Sequence, residues 1–266
     1  MENIDSLPNN TYHNFNKLNI SQRSSVIQAV NEKSEKVLLK TFIKLKELKT
    51  FIMDPESNKL VPKEYFYLKQ LSLYDYVPKL LDFHDGNLSS TIVMEFLDNG
   101  WMDLYEYTET FVPEQKLKKI MENMLRTFYK MQIIGFYHRD IKPENVMVNK
   151  FTLEVKIIDF EEILYDKSDT PFCVYKKGTK GYKSPESFTD DPYDIKQSLV
   201  FSIGCLLYTC IEMRNAYELK EEVLECRTLP FRISSKLARS FINECLKFDP
   251  QTRLSFENLI FHEWFL

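Results

Sequence analysis

The stretch Tyr137-His138-Arg139-Asp140-Ile141-Lys142-Pro143-Glu144-Asn145 runs directly into a segment with few ways to fold. β-Branched and apolar runs at 146–148 and 153–158 flank Asn149-Lys150-Phe151-Thr152, which predicts a short antiparallel hairpin. The outer ends of a hairpin lie side by side, so Asn145, before the first strand, should meet Asp159, after the second. That brings two oxygen donors together, sparse ligation of the kind that suits a hard cation carrying nucleotide phosphates. Asp140 lies five residues earlier on an irregular loop, within reach of an attacking hydroxyl, and Lys142 could offset negative charge on a transferring group. The same residues also suit a buried Asp/Arg/Asn network that merely closes a hairpin, so the reading needs further motifs.

Those motifs follow in order. Gly178-Thr179-Lys180-Gly181-Tyr182-Lys183-Ser184-Pro185-Glu186 and Asp249-Pro250-Gln251-Thr252-Arg253 lie downstream. Val37-Leu38-Leu39-Lys40, a Pro62-led amphipathic helix carrying Glu64, and the run Thr91-Ile92-Val93-Met94 before Glu95-Phe96-Leu97 lie upstream. Together with the 137–145 loop and Asp159-Phe160, they resemble the protein kinases, and Lys142 inside Asp-Ile-Lys-Pro-Glu-Asn resembles the serine/threonine type.

The resemblance implies an α+β fold of two lobes, a small β-rich N-lobe over 18–95 and a larger, mainly helical C-lobe over 96–266, after a polar extension at 1–17. It implies Asp140 as catalytic base, Lys142 steadying the phosphoryl group, and Asn145 with Asp159 holding Mg2+. Lys40 paired with Glu64 would position ATP, Val26 and the backbone of Glu95 and Leu97 would line the nucleotide site, and Met94 would be the gatekeeper. Glu186 and Arg253 are implied partners. Finer features resemble the Pim kinases of the calmodulin-dependent-kinase-like group: Val61-Pro62-x-Glu64, Val77-Pro78-Lys79-Leu80-Leu81-Asp82-Phe83, Leu199 in place of an aspartate, and the ending Asn258 to Trp264. Such kinases prefer basic substrates, for which Glu106, Glu109, Asp166, Asp169 and Asp190-Asp191 are candidates, and they need no activation-segment phosphate. Arg139 would bind such a phosphate; Ser168, Thr170 and Tyr175 are possible carriers, and Asp166 or Asp169 possible substitutes.

Two departures oppose full activity. The segment Asn19 to Val26, where a glycine-rich phosphate loop belongs, contains no glycine, so Ser21 and Ser24 would work with restricted dihedrals. Glu161 replaces the glycine after Asp-Phe; it could strain the turn that aims Asp159, repel phosphates, or point outward beside Glu162. An active serine/threonine kinase and a docking module with weak or no catalysis therefore both stand, with a small-molecule kinase as a third reading that the 178–186 segment opposes.

At 266 residues and 44% hydrophobic content the chain can bury a substantial core. Helices are expected near 63–73, from Pro113 through Leu117, Ile120, Met124, Phe128 and Met131, across the apolar run 199–211, and over 236–248 through Leu237, Phe241 and Cys245. The 199–211 run is too short to span a bilayer. No N-terminal signal is evident, and five cysteines without a Cys-x-x-Cys pair suggest reduced thiols in the cytoplasm or nucleus. A net charge of −4 gives no nucleic-acid footprint. A monomer acting on protein substrates, off the membrane, is expected.

Overall fold

The computed structural model describes residues 7, 11–20, 24–44, 48–174, 177–225, 230–232 and 235–266. The chain divides into two compact units, Met1–Asp98 with Ile158–Glu161, and Asn99–Ile157 with Glu162–Leu266.

The first unit holds strands β1 (Tyr12–Ile20), β2 (Ser24–Asn31), β3 (Lys36–Ile43), β4 (Phe51–Asp54) and β5 (Lys59–Pro62), helix α1 (Lys63–Leu71), and strands β6 (Leu80–Asp85) and β7 (Ser89–Glu95). Five strands form an antiparallel sheet in the order β1-β2-β3-β7-β6. Because side chains alternate along a strand, Ile27, Ala29, Val37, Leu39 and Val93 share one face and bury together with Tyr12. The cross-strand pairs Val26↔Lys40, Lys40↔Ile92 and Leu38↔Met94 put Val26, Lys40 and Met94 on the opposite face. Pro62 takes the extended N-cap of α1, and Glu64 enters its first turn, the positive end of the helix dipole. Glu64, Leu68 and Leu71 form its buried stripe.

β1 begins at Tyr12, inside the stretch read as a polar extension. Its residues from His13 to Asn19 are exposed, so this edge strand shows no apolar alternation. The first unit also runs to Asp98 and takes in 158–161, where a break at 95 was expected.

The second unit contains β8 (Trp101–Asp103), α2 (Leu104–Thr108), α3 (Glu114–Ile133), β9 (Phe136–Tyr137), the hairpin strands β10 (Val146–Asn149) and β11 (Val155–Ile157), α4 (Ile195–Glu212), α5 (Lys220–Leu224) and α6 (Lys236–Cys245). Leu117, Ile120, Met124, Phe128 and Met131 of α3 are all buried, as their spacing predicts. Among the described residues α4 is the one helix long and apolar enough to cross a membrane, and 72% of it is buried in protein, as befits a core helix. A Cβ on Gly204 would come 2.7 Å from Cys245 Cβ, so the glycine sets how closely α4 and α6 pack. Leu237 does not join the α6 core as expected: it is 41% exposed, and Ala238, Phe241, Ile242 and Cys245 make the buried face. Cys173, Cys205, Cys210 and Cys245 are buried thiols outside any disulfide, while Cys226 lies outside the described residues.

Candidate active site

In the first unit four charged side chains converge. The Lys40 ammonium lies 2.5 Å from Glu64 Oε2, 3.0 Å from Asp159 Oδ1 and 3.2 Å from Glu161 Oε1. β3 delivers Lys40, α1 delivers Glu64, and the residues after β11 deliver the other two. Burial lowers the affinity of Lys40 for its proton, but the three carboxylates outweigh it and the pKa rises above the ordinary lysine value. Burial raises the Glu64 carboxyl from 4.5 to about 7; Lys40 opposes the rise, and Asp159 and Glu161 add to it. One cation among three acids thus leaves excess negative charge, and the oxygen donors of Glu64, Asp159 and Glu161 lie within 4.8 Å of one another. An all-oxygen set of this kind fits a hard divalent cation.

Asp159 has φ +68°, whereas Glu161 has no positive φ. The left-handed residue is therefore the aspartate itself, so glycine's freedom is not required at 161. Glu161 does not point outward, since its side chain is 16% exposed and directed at Lys40.

In the second unit the 138–145 loop fixes a single carboxylate. Asp140 Oδ1 accepts from the Thr179 amide at 2.7 Å and the Thr179 hydroxyl at 2.6 Å. Asp140 Oδ2 lies 3.2 Å from both Asn145 Nδ2 and Lys142 Nζ, and Lys142 also donates to Thr179 Oγ1 at 3.1 Å. Asn145 Nδ2 donates to the Asp140 carbonyl as well, at 2.8 Å, which ties the loop across its own turn. Gly178, at φ +100°, makes this approach possible, because a Cβ there would sit 2.9 Å from the Arg139 carbonyl. Arg139 itself has φ +63°. Left-handed non-glycine residues thus mark both sets of charged groups, as strained positions often mark functional sites.

A family profile described as "Protein kinase domain" matches residues 12–265. The chain belongs to the protein kinase family. It is 27% identical over 240 residues to serine/threonine-protein kinase ppk6 of Schizosaccharomyces pombe, covering 88% of this chain and 30% of that protein. It is 26% identical over 211 residues to serine/threonine-protein kinase 1 of African swine fever virus, covering 79% of this chain and 70% of the viral protein. It is 30% identical over 224 residues to serine/threonine-protein kinase PSK1 of Saccharomyces cerevisiae, covering 80% and 16%. The chain therefore spans under a third of the two yeast relatives and over two thirds of the viral one. All three relatives are named serine/threonine-protein kinases, and the matched family has the α+β, two-lobed kinase fold.

The remaining kinase positions fall as follows. Glu95 ends β7, donating its amide to Lys79 O at 3.0 Å and accepting from the Lys79 amide through its carboxylate Oε1 at 2.9 Å, and Leu97 follows it partly buried. Glu186 and Arg253 meet at 2.6 and 2.7 Å through both pairs of terminal atoms. Ser24 opens β2, whereas Ser21 and Tyr175 lie outside the described residues.

Sequence reasoning missed two partners. Thr179 lies 39 residues from Asp140, and only its place in the Gly-Thr-Lys-Gly run hinted at a role. Glu162, read as exposed acid, instead accepts from Arg139 Nε through its carbonyl at 2.6 Å, with its carboxylate 4.0 Å from the same guanidinium. Lys177 holds that carboxylate at 3.0 Å. Asp166 accepts from the Ser168 amide at 2.8 Å.

Proposed function

We propose that this kinase transfers the γ-phosphoryl group of ATP to serine and threonine hydroxyls of proteins, without needing a phosphate on its activation segment. The observation that carries the reading is the Asp140 carboxylate, oriented by Thr179, Asn145 and Lys142. Asp140 aligns the substrate hydroxyl and takes its proton as the O–P bond forms, and Lys142 offsets charge on the moving phosphoryl group. Lys40, steadied by Glu64, receives the α and β phosphates. Mg2+, held by Asp159 and Asn145, would supply charge neutralisation along the phosphate chain. Val26 and Met94, on the Lys40 face of the sheet, and the backbone of Glu95 and Leu97 take the adenine side.

Independence from phosphorylation rests on Arg139, whose guanidinium already engages Glu162 and Cys173 Sγ. A Pim-like preference for basic substrates rests on exposed Glu106, Glu109, Asp169, Asp190 and Asp191.

The test is phosphate incorporation from labelled ATP and Mg2+ into basic peptides, comparing wild type with Asp140→Asn and with phosphatase-treated wild type. Loss in the aspartate variant alone is expected. Equal background in all three overturns catalysis and leaves the docking module, the reading that the Glu161–Lys40 contact favours. Loss after phosphatase treatment overturns the phosphorylation-free activity.

A further inference from the structure

An ammonium has three N–H donors, and around Lys40 three carboxylates stand within 3.2 Å. These oxygens crowd the ammonium on three sides, Asp159 as a hydrogen-bond acceptor and the two glutamates as ion-pair partners, so a phosphate oxygen approaching Lys40 competes with them for room and for charge. Glu64 is the shortest contact at 2.5 Å, is 3% exposed, and is anchored in the first turn of α1. Asp159 carries the donor that the nucleotide's cation would need. Glu161 is the longest contact at 3.2 Å, and its backbone lies outside the left-handed region, so its side chain can turn away without a change of backbone class. We infer that Glu161 is a positioning residue that occupies a phosphate's place on Lys40 when no nucleotide is bound, and that every phosphate-bearing ligand must displace it.

The inference rests on the reading of Lys40 as the nucleotide's phosphate contact and adds a direction to it. The resident carboxylate keeps Lys40 compact and paired in the free protein, at the cost of weaker binding of nucleotides. The penalty should fall on phosphates alone, because the adenine side of the site does not involve Lys40.

Calorimetric titration of the full chain with ADP and with adenosine, each with and without Mg2+, tests this in wild type, Glu161→Gln and Glu161→Gly. Losing one charge-assisted contact to the competing acid should tighten ADP binding roughly tenfold in both variants, with or without Mg2+. Adenosine, which carries no phosphate, should bind all three proteins equally. Glu161→Asp should keep the weaker ADP binding of wild type. Unchanged ADP affinity in the variants overturns the inference, as does an equal gain for adenosine, which would mark a merely structural effect. Weaker binding of ADP confined to the Mg2+ titrations also overturns it, since Glu161 would then be serving the cation. If neither ligand binds wild type or variants, the nucleotide-binding reading itself fails, and the inference with it.

Discussion

Replacing Glu186 by Gln should destabilise the kinase far more than removing an ion pair at its surface. Arg253 is completely buried, and all five of its N–H groups are used. Two go to Glu186 Oε1 and Oε2 at 2.6 and 2.7 Å, and the others go to the carbonyls of Lys247, Gln197 and Phe248 at 2.6, 2.9 and 2.9 Å. The guanidinium also stacks 5.0 Å from the centre of the Phe201 ring. Glu186→Gln keeps the shape of the partner and removes its charge, leaving a cation buried without compensation, for which about 3–5 kcal/mol is the usual cost. With an unfolding entropy of roughly 2.1 cal/mol/K per residue, 266 residues give about 0.56 kcal/mol/K, so Tm should fall by about 5–9 °C. The control is Asp98→Asn, which breaks a 2.9 Å pair with Lys36 whose side chains are 34% and 51% exposed. Such a pair contributes at most about 1 kcal/mol, so Tm should move by less than about 2 °C. Thermal unfolding followed by circular dichroism reads both variants. A drop below about 2 °C for Glu186→Gln would refute the buried-charge argument.

Three further outcomes are expected. Asp140→Asn should lower turnover by about a hundredfold to ten-thousandfold while ADP still binds; a rate within about threefold of wild type would remove Asp140 from the role of base. Because burial lifts the Glu64 pKa from 4.5 to about 7, the folded chain holds a proton there that the unfolded chain has released, so this group's contribution to stability falls as pH rises from about 4.5 to 7. Glu64→Gln should flatten the Tm profile over that window, and a decline as steep as in wild type would contradict the shift. Gly204→Ala places a Cβ 2.7 Å from Cys245 Cβ, a clash worth about 1–3 kcal/mol that should exceed the gain of about 1 kcal/mol in helix propensity; a higher urea midpoint would count against it.

What the sequence made legible follows from where periodicity and spacing speak. β2, β3 and β7, the central strands, carry apolar runs and were readable, as was the α3 face from Leu117 to Met131. The two edge strands were not, because β1 is largely exposed and β6 has no fully buried residue. Helical spacing misplaced Leu237, because Ala238, Phe241, Ile242 and Cys245 complete the buried α6 face without it. In the site, residues within one motif were legible from spacing, and so was the long-range Lys40–Glu64 pair through the kinase resemblance. Thr179 was not, since nothing local in a Gly-Thr-Lys-Gly run reveals that both its amide and its hydroxyl close on Asp140.

The adjacent pair Glu161-Glu162 shows how far local reading can mislead. Two acids in succession look like one solvated patch, yet the division between the two compact units falls between them. Glu161 belongs to the first unit and turns to Lys40; Glu162 belongs to the second and supplies a carbonyl and a carboxylate to Arg139. Each acid stands on a cation that, in this reading, would otherwise await a phosphate: one from nucleotide, one from modification. The two substitutions should therefore act in opposite directions. Charge removal at 161 should strengthen nucleotide binding, because it frees Lys40 for a phosphate. Charge removal at 162 should weaken turnover, because among the described residues it leaves the guanidinium of Arg139, whose side chain is only 10% exposed, with a carbonyl and a thiol as its hydrogen-bond acceptors.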